Sequence, residues 1–283
     1  MIGGMLEVRN VTKSYGRGRS VTTVVKGCSF TVERNKLTVM IGPSGSGKST
    51  MARMLASFEQ PTEGSIRLDG EVVKHPSHDR LVVFQETALY PWMTTFKNVA
   101  YGPTARGRGK SEVRKAAEAI ISQVGLRKFQ NAYPHELSGG MQRRAELARA
   151  LINNPAVTIL DEPFRGLDAM TKALMQEYYS RLFEESGRTH FFITTDIDEA
   201  IFLADRLLIM SNSPLQVCEI IDVDIPRPRK LVDVIKNDRA NDMKIKALTI
   251  LHAEAIKSFA AGHRAAADLV EAYSRRYSTS AMS

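Results

Sequence analysis

The chain has 283 residues, 43% hydrophobic and 25% charged, with a formal net charge of +8 and a pI near 9.5. That composition excludes a disordered, fibrous or disulfide-framework protein, and no run approaches the roughly 18 apolar residues of a membrane span. The N-terminal stretch MIGGMLEVRN lacks a charged-then-apolar leader pattern, and Cys28 and Cys218, far apart and each near an expected strand, read as buried thiols.

Leu6 to Val11 alternates as a strand, with Leu6, Val8 and Asn10 on one side and Glu7, Arg9 and Val11 on the other. Val21–Val25 and Cys28–Val32 read as two further strands, so an antiparallel subsheet is expected before residue 35. Tyr15 is either a stacking platform for an aromatic base or a half-buried tyrosine at a strand end. Arg17-Gly18-Arg19 is a basic turn.

Leu37–Ile41 is a β-rich apolar run, and GPSGSGKST follows at 42–50, before a helix expected over Met51–Ser57. Strand, glycine loop and helix form the context in which GxxxxGK[ST] binds phosphate. Gly42, Gly45 and Gly47 permit turns that a Cβ would block, with Pro43, Ser44 and Ser46 between them, so that N–H groups converge on phosphate oxygens. The helix adds its positive end. Lys48 supplies a point charge for the terminal phosphates, and the Ser49 hydroxyl, next to Thr50, is placed to ligate Mg²⁺.

Pro61–Gly64 is a turn, Ser65–Leu68 a strand and Asp69-Gly70 a hairpin signal. Leu81–Phe84 is a buried strand ending at Gln85. Leu89–Met93 is an apolar loop with the only tryptophan, Trp92, and reads either as tucked into its own core or as an exposed docking groove. Gly102–Gly109 is a flexible connector, and Ser111–Val124 a helix with Val113, Ala117, Ile120, Ile121 and Val124 on one face.

Ser138-Gly139-Gly140 opens a helix, Met141–Asn153, and is either a second anion site or a plain serine cap. Val157–Leu160 is a strand whose end carries Asp161-Glu162, the position from which acids reach a bound Mg-nucleotide. Asp168 caps a helix to about Glu185, and Phe191–Thr194, Ile197–Ala204 and Leu207–Met210 read as strand, helix and strand. Strands alternating with helices imply a mainly parallel sheet. Asp242–Ala261 is a helix with Ile245, Leu248, Leu251 and Ala255 on one face; Ala265–Tyr273 reads as another, and Ser278–Ser283 as disordered.

Part of the positive excess is local. Arg106, Arg108, Lys110, Arg114 and Lys115 form one cluster, and residues 226–283 hold eleven Lys/Arg against six Asp/Glu. With no aromatic-interleaved basic repeat and no zinc-finger spacing, a solvated or membrane-facing surface is expected and no nucleic-acid partner.

Gln85, LSGGM at 137–141, TILDEP at 158–163 and GLDA at 166–169, in this order, resemble an ABC-type ATPase over roughly residues 6–225. The resemblance is to the ATP-binding subunits of bacterial importers. Through VFQETALYPWMT, EPFRGLDA and DIDEAIFLADR it is to the nitrate/sulfonate/taurine group. It implies an α/β P-loop fold with a mainly parallel core sheet, an antiparallel β-subdomain and a helical subdomain at about 87–137, with a basic, mostly helical extension at 226–283.

By the same resemblance, Tyr15 stacks on adenine and Gly42 to Thr50 hold the phosphates of ATP. Gln85 meets Mg²⁺ and the attacking water, Asp161 binds the metal and Glu162 is the catalytic base. Ser138, Gly139 and Gly140 complete the site of a second ATPase subunit. The implied partners are that subunit, identical or not, a transmembrane permease docking near Trp92 and, indirectly, an extracytoplasmic solute-binding protein. The implied location is peripheral, on the cytoplasmic face of the inner or plasma membrane.

One departure stands out: Thr195 occupies the place where the family carries a histidine. Either Glu162 suffices, with Thr195 or water filling the gap, or the subunit is weakly hydrolytic and depends on a partner. The other alternative is an ABC-type ATPase acting on nucleic acid or ribosomes without a permease. For the extension, a dimer contact, a membrane-facing surface and a helical finish to the fold all stand open, and cutting after Val223 is expected to leave ATP binding intact.

Overall fold

A computed structural model describes residues 3–16 and 21–257. The expected basic turn at 17–19, the helix at Ala265–Tyr273 and the disordered end at Ser278–Ser283 lie outside the described residues. In chain order the elements begin β1 (Leu6–Tyr15), β2 (Thr22–Val32), β3 (Leu37–Ile41), α1 (Lys48–Leu55), β4 (Glu63–Leu68), β5 (Glu71–Val72) and β6 (Arg80–Val83). They continue α2 (Thr95–Ala105), α3 (Lys110–Gln123), α4 (Gly139–Leu151), β7 (Val157–Asp161), α5 (Ala169–Ser186), β8 (Thr189–Thr194), α6 (Ile197–Leu203), β9 (Arg206–Met210), β10 (Val217–Asp222) and α7 (Leu231–Ile235). The last helix among the described residues, α8, begins at 238 and runs to 257, where they end.

One sheet is antiparallel, in the order β2-β1-β4-β5. The other has the order β10-β9-β3-β8-β7-β6, parallel except for β10 at its edge. Strand β3 shows why this sheet is central: Leu37, Val39 and Ile41 join one core cluster and Met40 the other, all with no exposed surface. A strand buried on both faces reads as an unbroken apolar run. The first cluster packs the sheet on α5, α6 and the chain beyond 223. The second fills the space between the two sheets around α1, where Phe30 and Phe191 stack at 5.9 Å. Each such ring buried contributes roughly 1.5–3 kcal/mol. A third cluster, from α2, α3 and α4, includes Val99, Val113, Ile121, Ala145 and Ala148.

Several local expectations are corrected. Residues 22–32 form one strand, not two, because β2 pairs with β1 along its length. Asn10 does not share the side of Leu6 and Val8. It has φ 49°, and the pairing with β2 shifts between Val8 and Val11, so Val11 turns inward. A single extra residue in a strand reverses every side chain after it. The backbone of this bulge presses on Gly64, where a Cβ would lie 2.3 Å from the Asn10 carbonyl oxygen.

Gly102 and Pro103 lie inside α2 rather than in a connector. A Cβ on Gly102 would stand 2.2 Å from Asn153 Oδ1, so the glycine permits close packing beyond α4. Proline in a helix costs about 3 kcal/mol, offset here by burial of Val99, Ala100 and Pro103 itself. On α8 the inward face is Ala240, Ala247 and Glu254, with Met243, Ile250 and Leu251 partly covered; Ile245, Leu248 and Ala255 face outward. Ala240 and Ala247, with no exposed bulk between helix and core, let α8 lie close to the first cluster. Finally, Cys28 is buried but Cys218 is exposed, on the alternating edge strand β10.

Candidate functional site: a phosphate cradle at the sheet's carboxyl edge

The carboxyl ends of β3, β7 and β8 lie side by side, with Ile41 opposite Thr194 and Asp161 opposite Ile193. The segments that leave them therefore meet at one edge. From β3 the chain turns through Gly42–Gly47 directly into α1, which begins at Lys48, earlier than the sequence pattern places it. Gly47 has φ 113°, and a Cβ there would lie 2.9 Å from Val24 Cγ1 and 3.0 Å from its carbonyl oxygen. Only glycine fits this turn. The first bond that closes the helix runs from the Met51 amide to the Gly47 carbonyl at 3.0 Å. The amides of Lys48, Ser49 and Thr50 thus have no acceptor within the helix and point out of its positive end.

These groups border a cleft of about 260 Å³ lined by Ser44, Gly45, Gly47, Lys48, Ser49 and Thr50 together with Gln85, Glu162, Val24 and Arg165. Lys48 is 4% exposed, and its amine donates to the carbonyls of Gly42 at 2.9 Å and Pro43 at 2.8 Å. Burial lowers its pKa, and the charges of Glu162 and Asp161 oppose that shift. An ammonium held mainly by neutral carbonyls in a site of unpaired amides is a fitting receptor for a polyphosphate.

Asp161 is nearly buried. Burial raises its pKa, the Ser49 hydroxyl hydrogen-bonded to it pulls the other way, and the Glu162 charge raises it again. Glu162 sits at φ 45°, its amide donating to the Ile193 carbonyl at 2.9 Å. That left-handed turn, costly for a residue with a Cβ, brings its carboxylate to 3.9 Å from Lys48 Nζ and 3.1 Å from Arg165 Nη1. Among the described residues no group of three His, Cys, Asp or Glu could hold a metal. Ser49 and Asp161 offer one hydroxyl and one carboxylate. This set suits Mg²⁺ that arrives with phosphate oxygens and keeps water, not a metal caged by protein alone.

Other expected site residues stand outside this cleft. Gly42 and Pro43 lie behind it, their carbonyls accepting from the Lys48 amine, and the Ser46 hydroxyl is buried without a partner among the described residues. Tyr15 is 39% exposed at the end of β1, its hydroxyl bonded to Glu59 and the Lys13 amine 5.0 Å from its ring centroid. Thr195 is exposed immediately after β8. Ser138 caps α4, accepting from the Met141 amide at 3.4 Å, with the exposed Gly139 and partly covered Gly140 beginning the helix. His190, at the other end of β8, is fully buried against Tyr179 and cannot substitute for Thr195. Arg165 is a cleft residue that sequence reading missed. Its signal was the spacing from Glu162, three residues across a turn closed by the Arg165 amide and the Glu162 carbonyl at 3.1 Å.

Comparison with known proteins gives a consistent family. A family model described as ABC transporter matches residues 25–165. An uncharacterized ABC transporter ATP-binding protein of Methanocaldococcus jannaschii is 38% identical over 253 residues, covering 89% of this chain and 93% of that protein. The bicarbonate transport ATP-binding protein CmpD of Synechococcus elongatus is 40% identical, covering 87% and 90%. The nitrate import ATP-binding protein NrtD of the same species is 38% identical, covering 88% and 92%. Among solved structures, the dimeric ATP-binding cassette MJ0796 in a post-hydrolysis state bound to ADP and Pi aligns with a TM-score of 0.67 and 29% identity, over 78% of this chain and all of that one.

Proposed function

We propose, from the premise that the chain belongs to the ABC transporter family, that it drives uptake of a small anion through a separate membrane permease. It is an ATP-binding cassette ATPase. The nitrate and bicarbonate named for two relatives support a small anionic solute. No helix among the described residues is long and apolar enough to cross a membrane, and on this reading the permease supplies the translocation path. On this reading the chain sits peripherally at the cytoplasmic face, with residues 1–225 as its ATPase unit and a helical part near 87–137 toward the permease. Residues 226–283 extend that unit, and the described portion of the extension packs onto it. Trp92, 69% exposed beside Tyr90, which in turn packs on Tyr101, supports a docking surface there, and a solute-binding protein would act from outside through the permease.

In this mechanism the amides of residues 45–50 and the Lys48 amine hold the β- and γ-phosphates. Ser49, Asp161 and Gln85 would hold Mg²⁺, which supplies charge neutralisation between the phosphates. Glu162 accepts the proton of the attacking water, and Thr195 offers a hydroxyl to the terminal phosphate. Tyr15 stacks on the base. The observation that carries the dimer is a separation: the open amides of Lys48–Thr50 and those of Gly139–Gly140 do not share a cleft within one chain. Two copies, facing each other head to tail, would let each lend Ser138 to the other's nucleotide, and binding energy would favour the closed state.

The test is a structure of the Glu162→Gln protein loaded with ATP and Mg²⁺. A dimer with Ser138 of the partner subunit within hydrogen-bond reach of the terminal phosphate is expected. ATP-bound monomers in solution would overturn the shared-site reading.

A further inference from the structure

The segment 84–90, which follows β6, has no regular structure of its own, yet carries Gln85 near one end and Tyr90 at the other. It is held by one stripe of α4. Arg143 donates from Nη1 to the Phe84 carbonyl at 2.8 Å and from Nη2 to the Gln85 carbonyl at 2.5 Å. Glu146 accepts from the Ala88 amide at 3.1 Å and from Arg143 Nη1 at 2.6 Å. Arg149 donates to the Ala88 carbonyl at 2.8 Å and lies over the Tyr90 ring at 5.3 Å. These residues recur every three positions, the spacing that places side chains on one helical face.

Arg143 and Glu146 are 4% and 2% exposed. A buried ion pair is a weak source of stability, since desolvation consumes most of the attraction, but its fixed geometry makes it a good clamp. Here both charges are spent on three backbone groups of one loop. Their helix, α4, is the one whose first residues are capped by Ser138.

We propose that Arg143 and Glu146 are positioning residues that fix Gln85 relative to the phosphate cleft, locking the loop that bears it to the helix that presents Ser138. The inference rests on Gln85 meeting Mg²⁺ and the attacking water.

The experiment compares Arg143→Ala/Glu146→Ala, Arg143→Gln/Glu146→Gln, Gln85→Ala and the combined triple alanine variant. Both pair variants remove the two charges together, so neither leaves a lone buried ion, and the Gln pair keeps an acceptor of the same length as Glu146 for the Ala88 amide. Three quantities are read: kcat against Mg²⁺ concentration, ATP affinity without Mg²⁺, and hydrogen exchange over residues 84–90.

The Ala pair is expected to lower kcat at least tenfold and raise the half-saturating Mg²⁺ several-fold. ATP affinity without Mg²⁺ should stay within twofold, and exchange at Ala88 should quicken at least tenfold. The triple variant should fall no further than Gln85→Ala, and the Gln pair, which keeps the Ala88 contact, should recover part of the loss. Wild-type kcat in the Ala pair, or losses that multiply with Gln85→Ala, would overturn the proposal while leaving the role of Gln85 standing. Wild-type kcat in Gln85→Ala would remove that role and the proposal together.

Discussion

Lys48 and Glu162 face each other across the cleft, the amine nitrogen 3.9 Å from the nearer carboxylate oxygen. Neither reaches the other at hydrogen-bond distance, and Lys48 instead spends its donors on the carbonyls of Gly42 and Pro43. In the proposed mechanism Lys48 meets the terminal phosphate and Glu162 its attacking water. Replacing Glu162 by Gln keeps the shape and removes the proton acceptor. Turnover should drop by about 10²–10⁴-fold, the usual yield of a general base, while ATP binding holds or tightens because one negative charge has left the phosphate site. Steady-state hydrolysis together with nucleotide binding checks this; wild-type turnover would take Glu162 out of the base role.

Lys48→Ala acts on binding instead. It removes the one buried ammonium that lines the phosphate cleft and leaves two carbonyls without their donor. A charge-assisted hydrogen bond is worth about 1.5–3 kcal/mol, so ATP affinity should weaken by roughly ten- to a hundredfold. Calorimetric titration with ATP measures it, and an unchanged affinity would contradict the phosphate role assigned to Lys48.

What could be read from the sequence followed how local each signal was. The phosphate loop was legible because strand, glycines, lysine and helix are contiguous. So was Asp168, which accepts from the Thr171 amide at 3.0 Å as the cap expected for α5. The Asp69-Gly70 turn likewise joins β4 to β5, with φ 51° and 89°. The misreadings depended on partners distant in sequence. Gly102 and Pro103 look like a breaker until Asn153 is seen against the helix, and the inward face of α8 is set by the core it meets, not by its own largest side chains. The grip of Arg143 on Phe84 and Gln85 spans nearly sixty residues and has no sequence signature.

Thr195 provides a direct comparison between the two hydrolytic readings. It leaves β8 one residue after Thr194, which pairs with Ile41 at the entrance to the phosphate loop. Its hydroxyl can hydrogen-bond a phosphate oxygen but offers no cationic form. With Glu162 as base, Thr195→His should leave kcat within about threefold, far less than the 10²–10⁴ a missing catalytic group would restore. A tenfold or larger gain would favour the weakly hydrolytic, partner-dependent subunit.

His190 makes acid stability predictable. It is fully buried, with Nδ1 2.6 Å from the Tyr179 hydroxyl, Nε2 unpartnered among the described residues and the Phe183 ring edge-on at 5.2 Å. Burial pushes its pKa down to about 3, with the charges of Arg188 and Arg227 adding to the shift. Between the unfolded value near 6.5 and about 3, the unfolded chain therefore binds a proton that the native chain refuses. Native stability must fall as pH falls through that window, by about 2 kcal/mol from pH 7 to pH 5 for this one group. His190→Gln, which keeps a partner for Tyr179 but cannot titrate, should lose about that much of the pH dependence in urea unfolding. Equal slopes for the two proteins would show that His190 is not the group responsible.

Arg229 decides what the C-terminal extension does. Its guanidinium is buried and donates to the Ile225 carbonyl at 2.8 and 3.0 Å, and to the carbonyls of Phe202 and Ala204 at 3.0 and 2.7 Å. The last two belong to the end of α6, where helical carbonyls lack partners of their own. Burial lowers the Arg229 pKa to about 10, with the Arg227 charge adding to it, so the group stays charged at neutral pH. Helix α6 begins just beyond Thr195, and Val234, Ala240 and Ala247 cover the core beneath it. The described part of the extension thus packs onto the core beside the site, and cutting after Val223 is expected to weaken ATP binding, where the sequence alone suggested that binding would stay intact. Arg229→Met, which fills the volume but satisfies no carbonyl, should cost roughly 2–4 kcal/mol. Cutting after Val223 should cost more, because it also strips the first core cluster of apolar cover. Thermal unfolding with and without ATP measures both. A truncated protein with the full chain's Tm and ATP affinity would show that α6 and the neighbouring phosphate loop stand without the extension.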